Sequence, residues 1–161
     1  MQQQPGKDPE EDAHELALRA LSYKERTESE LRSWLGERGV EEADVEEVIA
    51  LLAEAGAIDD ASFASRYAAD KRELAGWGPE RIATALEARG ISRLHIEAAL
   101  TGEDQEAQLE RAVELLDARG IHCDSERERQ RGLALLVRRG YAMELAYEAV
   151  RTAERRPGEA A

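Results

Sequence analysis

Apolar residues recur along this chain three or four positions apart, and no stretch sustains the period-two alternation of a half-buried strand. The pattern is clearest over residues 56–91. Phe63, Tyr67 and Leu74 fall near one face of a predicted helix, and Ile82 and Leu86 near one face of the next. Gly76-Trp77-Gly78 ends the first of these helices, with Gly78 as N-cap of the second. Pro79 opens that second helix, because its fixed φ suits a helix start and its missing N–H has no partner to lose there. Asp59 and Asp60 stand where short carboxylates can accept the free amides of a first turn. Gly90 stops the second helix and Ile91 follows it.

The same register returns on either side. Leu31, Leu35, Gly39 and Val40 match Ile82, Leu86, Gly90 and Ile91, and Leu136, Gly140 and Tyr141 match the latter part again. Gly39 and Gly90 are 51 residues apart, Gly90 and Gly140 are 50. Six residues beyond each glycine stand Val45, Ile96 and Ala146, and ten beyond stand Ile49, Leu100 and Val150. A glycine in the left-handed position after a helix, followed by an apolar residue that packs back on the last turn, is the Schellman stop. It predicts the pairs Leu35–Val40, Leu86–Ile91, Leu116–Ile121 and Leu136–Tyr141.

The resulting expectation is an all-α fold of nine helices, arranged as three tandem three-helix repeats in an elongated, curved array. Helices are predicted over 11–24, 28–38 and 42–55, then 60–75, 79–89 and 93–101, then 104–119, 124–139 and 142–154. Leu16, Leu18 and Leu21 point the first toward the core, and Leu31, Trp34 and Leu35 the second. Thr27-Glu28-Ser29-Glu30 and Ser125-Glu126-Arg127-Glu128 both read as capping boxes. The repeats are placed at 13–58, 59–102 and 103–154, between a disordered acidic tail at 1–12 and a flexible tail at 155–161.

Composition supports helices: 42% apolar residues but only one Phe, two Trp and four Tyr, so the core is built from Leu, Ala, Val and Ile. The single Cys123 excludes an internal disulfide and fits a reducing cytoplasm. No apolar run reaches the length of a membrane span. Net charge is −13 and unevenly spread. Residues 1–60 carry 17 acidic and 6 basic side chains, residues 61–123 carry 11 and 8, and residues 124–161 carry 7 and 8. So acidic a chain does not bind nucleic acid through its whole surface, since phosphate neutralisation dominates such affinity. A local basic face toward the C-terminal end remains.

Little suggests catalysis. Asp59 and Asp60 have no His or Cys near them at ligand spacing, and capping explains them better than metal binding. His14, His95 and His122 are scattered, no phosphate-cradling glycine loop is present, and no metal or cofactor is expected. Trp34 reads as core. Trp77, at a glycine corner, is either an anchor for a partner or a cover over a local gap. The candidate binding set is basic: Lys71, Arg72, Arg81, Arg89, Arg127, Arg131, Arg138 and Arg139, with Trp77. Arg127, Arg131 and Arg138 share one helix face, while any one of these residues can equally be a solubilising charge near a helix end.

Taken together, Ile58-Asp59-Asp60-x-x-Phe63-Ala64-x-x-Tyr67, Gly78-Pro79-x-x-Ile82-x-x-x-Leu86-x-x-x-Gly90-Ile91, Thr27-Glu28-Ser29-Glu30-Leu31 and Arg139-Gly140-Tyr141 resemble the RecX family. The resemblance covers residues 13–152 in the family's order. It implies a non-enzymatic modulator of the RecA recombinase; a monomer is expected because no heptad seam argues for a dimer, and the lone cysteine fits the cytoplasm. Such a protein lodges in the groove of the RecA–single-stranded DNA filament and usually slows ATP hydrolysis, strand exchange and coprotease action; direct DNA binding varies. Trp77 departs from the family, which has a basic or small residue there. The alternatives from the residues alone are a DNA-binding helical module, akin to a helix-turn-helix, and a general helical adaptor. On this reading, replacing Arg81, Arg138 and Arg139 by Glu impairs filament binding and leaves the fold intact.

Overall fold

The computed structural model describes residues 12–156; the expectations for the two tails fall largely outside them. Those residues form nine helices and no strand. They are α1 (Ala13–Tyr23), α2 (Glu28–Glu37), α3 (Glu42–Glu54), α4 (Asp60–Ala75), α5 (Pro79–Ala88), α6 (Arg93–Leu100), α7 (Gln105–Ala118), α8 (Glu126–Arg138) and α9 (Met143–Arg155).

The helix stops are as the glycines predict. Gly39, Gly90, Gly120 and Gly140 have φ of 79°, 75°, 65° and 93°. The amides of Val40, Ile121 and Tyr141 return to the carbonyls of Leu35, Leu116 and Leu136 at 3.3, 3.0 and 3.1 Å. Thr27 completes a full capping box: its hydroxyl accepts from the Glu30 amide at 3.1 Å, and the Glu30 carboxylate accepts from the Thr27 amide at 3.2 Å. The Ser125 box is half formed. Its hydroxyl accepts from the Glu128 amide, but the Glu128 carboxylate reaches the amide of Asp124 instead of that of Ser125.

The helices fall into two compact units. One holds α1–α3 up to Asp60, together with Arg89–Ile91; the other holds Ala61–Ala88 and the chain from Ser92 onward. In the first, Ala17, Ala20, Leu31, Leu35, Val45, Val48, Ile49, Leu52 and Ile58 make the core, with Trp34 packed half-buried at its edge. Leu18 does not join it and is 45% exposed. Each residue turns about 100° around a helix, so Leu18 lies about 130° from the centre of the Ala17–Ala20 face, on the solvent side. In the second unit α7, α8 and α9 close around Val113, Leu116, Ile121, Cys123, Leu136, Tyr141 and Val150. Phe63 is buried there and Tyr67 stacks on it with centroids 5.9 Å apart, but Leu74 is 85% exposed. It follows the right period in the last turn of α4, beyond the Phe63–Ala64–Ala68 stretch that is buried.

Asp60 does other work than predicted. It lies inside the start of α4, and its carboxylate accepts the Glu28 amide at 3.0 Å, satisfying a free N–H at the start of α2.

Candidate functional site

Two glycine corners of the second unit meet backbone to backbone. The first joins α4 to α5 through Gly76, Trp77 and Gly78; the second joins α8 to α9 through Arg139, Gly140 and Tyr141. The Gly78 amide donates to the Arg139 carbonyl at 2.7 Å, and the Glu80 amide to the Gly140 carbonyl at 3.0 Å. The positive N-terminal end of α5 is thus satisfied by carbonyls at the negative end of α8. The approach leaves no room for a methyl group. A Cβ on Gly78 would stand 2.5 Å from the Gly140 carbonyl oxygen, and one on Gly140 would stand 2.4 Å from the Arg81 nitrogen. Tyr141, wholly buried, donates its hydroxyl to the Gly76 carbonyl at 3.0 Å, and burial pushes its phenol up to about 12.

Around this joint the structure gathers Lys71, Trp77, Arg81, Arg138 and Arg139. Lys71 Nζ lies 4.7 Å and the Arg81 guanidinium 4.1 Å from the centroid of the half-buried Trp77 ring. Trp77 is therefore covered by cations of its own chain. Arg81 also donates to the Arg138 carbonyl at 3.3 Å. Arg139 donates to the Ala75 carbonyl and is half-buried, so it is part of the joint itself. Replacing Arg139 should therefore cost the fold, which sets it apart from the exposed Arg81 and Arg138. Burial first, then the neighbouring charges of Arg119, Arg81 and Arg138, hold the Arg139 guanidinium below its ordinary value.

The other predicted residues lie elsewhere. Arg72 is drawn inward: its Nε is 3.1 Å from Glu103, which Arg111 approaches at 2.8 Å, and it donates to the Ala99 carbonyl at 3.0 Å. The contacts with Glu103 lack hydrogen-bond alignment at Arg72 Nε, Arg111 Nη1 and Glu103 Oε1, so charge proximity holds this triad. Arg89 belongs to the first unit, where it grips the Glu30 carboxylate through two nitrogens at 2.6 and 3.1 Å. Burial pushes the Glu30 carboxyl up, but the Arg89 hydrogen bond, the Thr27 amide and nearby cations outweigh it and hold it low. Arg127, Arg131 and Arg138 are exposed on α8, and no side-chain partner engages them among the described residues. Arg129, between them, is tied to Glu126 and Glu154.

Arg119 stands outside the set of cations that the sequence singles out. It follows α7, is exposed, and adds a positive charge beside Arg139. With Arg139 it lines a surface hollow of about 520 Å³, whose apolar lining includes Leu74, Leu115 and Ala118. Only the helix-end position of Arg119 hinted at it; nothing in local spacing links residue 119 to residue 139.

Among the described residues, no group of three or more His, Cys, Asp or Glu is arranged to hold a metal ion, and no helix is long and apolar enough to cross a membrane. Burial, then the charges of Glu128, Glu154 and Asp124, push the Cys123 thiol up, which disfavours a reactive thiolate.

Residues 13–52 match the model of the first three-helix domain of RecX, and residues 59–100 that of the second. The regulatory protein RecX of Mycobacterium ulcerans is 35% identical over 145 residues, covering 88% of this chain and 84% of the relative. That of Mycobacterium tuberculosis is 35% identical over 148 residues, covering 88% and 85%. The crystal structure of RecX from Lactobacillus salivarius superposes with a TM-score of 0.79 at 25% identity, over 88% of this chain and 94% of that one. Two RecX domain models matched in succession, with 35% identity over most of both chains, place the protein in the RecX family of regulatory proteins.

Proposed function

We propose that this chain is a modulator of the RecA recombinase, acting as a negative regulator. It binds the RecA–single-stranded DNA filament as a monomer in the cytoplasm and alters ATP hydrolysis, strand exchange and coprotease activity, with no cofactor. Three three-helix repeats, at 13–58, 59–102 and 103–154, follow the polymer, and an inserted bridge of this kind restricts rotation between protomers. A specific contact of this type buries on the order of 1,200–2,000 Å².

One observation carries the reading beyond the family name. In a chain of net charge −13, α8 presents Arg127, Arg131 and Arg138 to solvent, and no carboxylate among the described residues engages them. Arginine forks pair with carboxylates and phosphates, and a nucleoprotein filament offers both. The test is the DNA-dependent ATPase of purified RecA. Sub-stoichiometric chain should lower it, and high salt should reverse the effect. No effect on ATPase, strand exchange or filament assembly at micromolar chain removes the proposal.

Direct DNA binding is the rival, favoured by the cations clustered at the Trp77 corner. Binding to single- and double-stranded DNA without RecA, at two salt concentrations, separates the two. Tight binding with a steep salt slope selects the rival.

A further inference from the structure

We propose that the hollow beside the last turn of α4 is a docking groove for an acidic peptide segment that carries an apolar side chain. The groove goes beyond the filament reading and does not depend on it. Its apolar part is unusual for a surface. Leu74 is 85% exposed and shares the lining with the half-buried Leu115 and with Ala118, so the leucine is not an isolated apolar residue on a polar face. Its charged part is cationic at one end. Arg139 lines the hollow and hydrogen-bonds to a neutral carbonyl, that of Ala75, and no carboxylate among the described residues pairs with it. Arg119 lines it too, with no side-chain partner among the described residues. Arg81 and Arg138 lie outside the lining, close enough for their charges to act on Arg139. Arg72 and Arg111, also in the lining, are compensated by Glu103.

A carboxylate seated on Arg119 and Arg139 would gain charge-assisted hydrogen bonds from planar forks. An apolar side chain one or two residues away would cover Leu74 and Leu115 and remove them from water. Nucleic acid fits less well. The wall is aliphatic, no aromatic side chain lines the hollow for a base to stack on, and the nearby Trp77 ring already carries Lys71 and Arg81.

The test uses the full chain without RecA, so its outcome is separate from that of the ATPase assay. The probe is a short fluorescent peptide of Asp and Glu with two leucines. Its controls are the same peptide with serines for the leucines, and an oligothymidylate of equal length. Binding is followed by anisotropy. The leucine peptide should bind about tenfold tighter than the serine peptide. Leu74→Ser and Arg119→Glu should each weaken it by about tenfold or more, while circular dichroism stays unchanged. Both substituted side chains are exposed, so the fold is not at stake. Equal binding of the two peptides reduces the groove to a patch of charge and overturns the proposal. So does leucine-peptide binding that neither substitution alters, or no binding at all. An oligothymidylate that binds more tightly than the peptide, and is lost in the same variants, assigns the surface to nucleic acid instead.

Discussion

At Gly140 two constraints fall on one atom. Its φ of 93° strains any side chain, and a Cβ would stand 2.4 Å from both Arg81 Cβ and the Arg81 nitrogen. Gly120 has φ of 65° but open space around the same position. Gly120→Ala should therefore cost about 1 kcal/mol, the strain alone. Gly140→Ala should cost at least about 2 kcal/mol more, because the corner must also open; urea midpoints of the two variants check the difference. One residue on, Tyr141→Phe removes a buried donor from the Gly76 carbonyl and should cost about 1 kcal/mol by the same measurement. With its phenol raised from an ordinary 10 to about 12, the native state keeps that proton after the unfolded chain has lost it. Folding stability should thus fall as pH rises from about 10 toward 12. Ultraviolet titration should show one tyrosine ionising late, a signal absent from the Phe variant. The glycine and Tyr141 positions were legible because a helix stop is written in consecutive residues. The bond from Tyr141 to Gly76 and the placing of Arg139 against Ala75 were not, since sequence periodicity carries no information across such separations.

Among elements, the caps show how local signals acquire longer reach. Thr27 is fully buried, accepts from Glu30 and also donates its hydroxyl to the Arg89 carbonyl at 2.7 Å, whereas Ser125 is exposed and accepts one amide. Thr27→Ala should cost about 2 kcal/mol or more and Ser125→Ala about 1, measured by chemical unfolding. The Glu30 carboxyl, held low in the folded chain, contributes stability that is present above its ordinary value of 4.5 and lost as pH falls below it. The stability gap between the wild type and Glu30→Gln should accordingly narrow as pH drops from 6 through that range. All nine helices were readable to within two residues over the described chain, because capping, proline and glycine chemistry is local. The faces were less so. Leucine spacing pointed α1 toward Leu18, but Ala17 and Ala20 make the close approach. Asp60 looked like a cap for its own helix and instead serves α2, a partner 32 residues away.

For the molecule as a whole, charge is the organising variable. Arg127, Arg131 and Arg138 lie on one face of α8, and the outer two are about 16 Å apart along its axis by helical rise. Replacing all three by Glu should raise the chain concentration needed to inhibit RecA ATPase by about tenfold or more, with helicity and the unfolding midpoint retained. Unlike Arg139, none of their side chains takes part in the joint. An unchanged inhibition curve would move the filament contact to another face. That α8 face was visible in the sequence as a spacing of four and seven. The corner cluster was not, because Lys71 comes from α4, Trp77 from the turn after it, Arg81 from α5 and Arg119 from the end of α7. The corner has one more consequence. The amides of Gly78 and Glu80 give their protons to carbonyls some sixty residues away, not to water. In deuterium oxide these two turn-region sites should keep their hydrogen nearly as long as the middle of a helix, and they should surrender it together when the two chain reversals part.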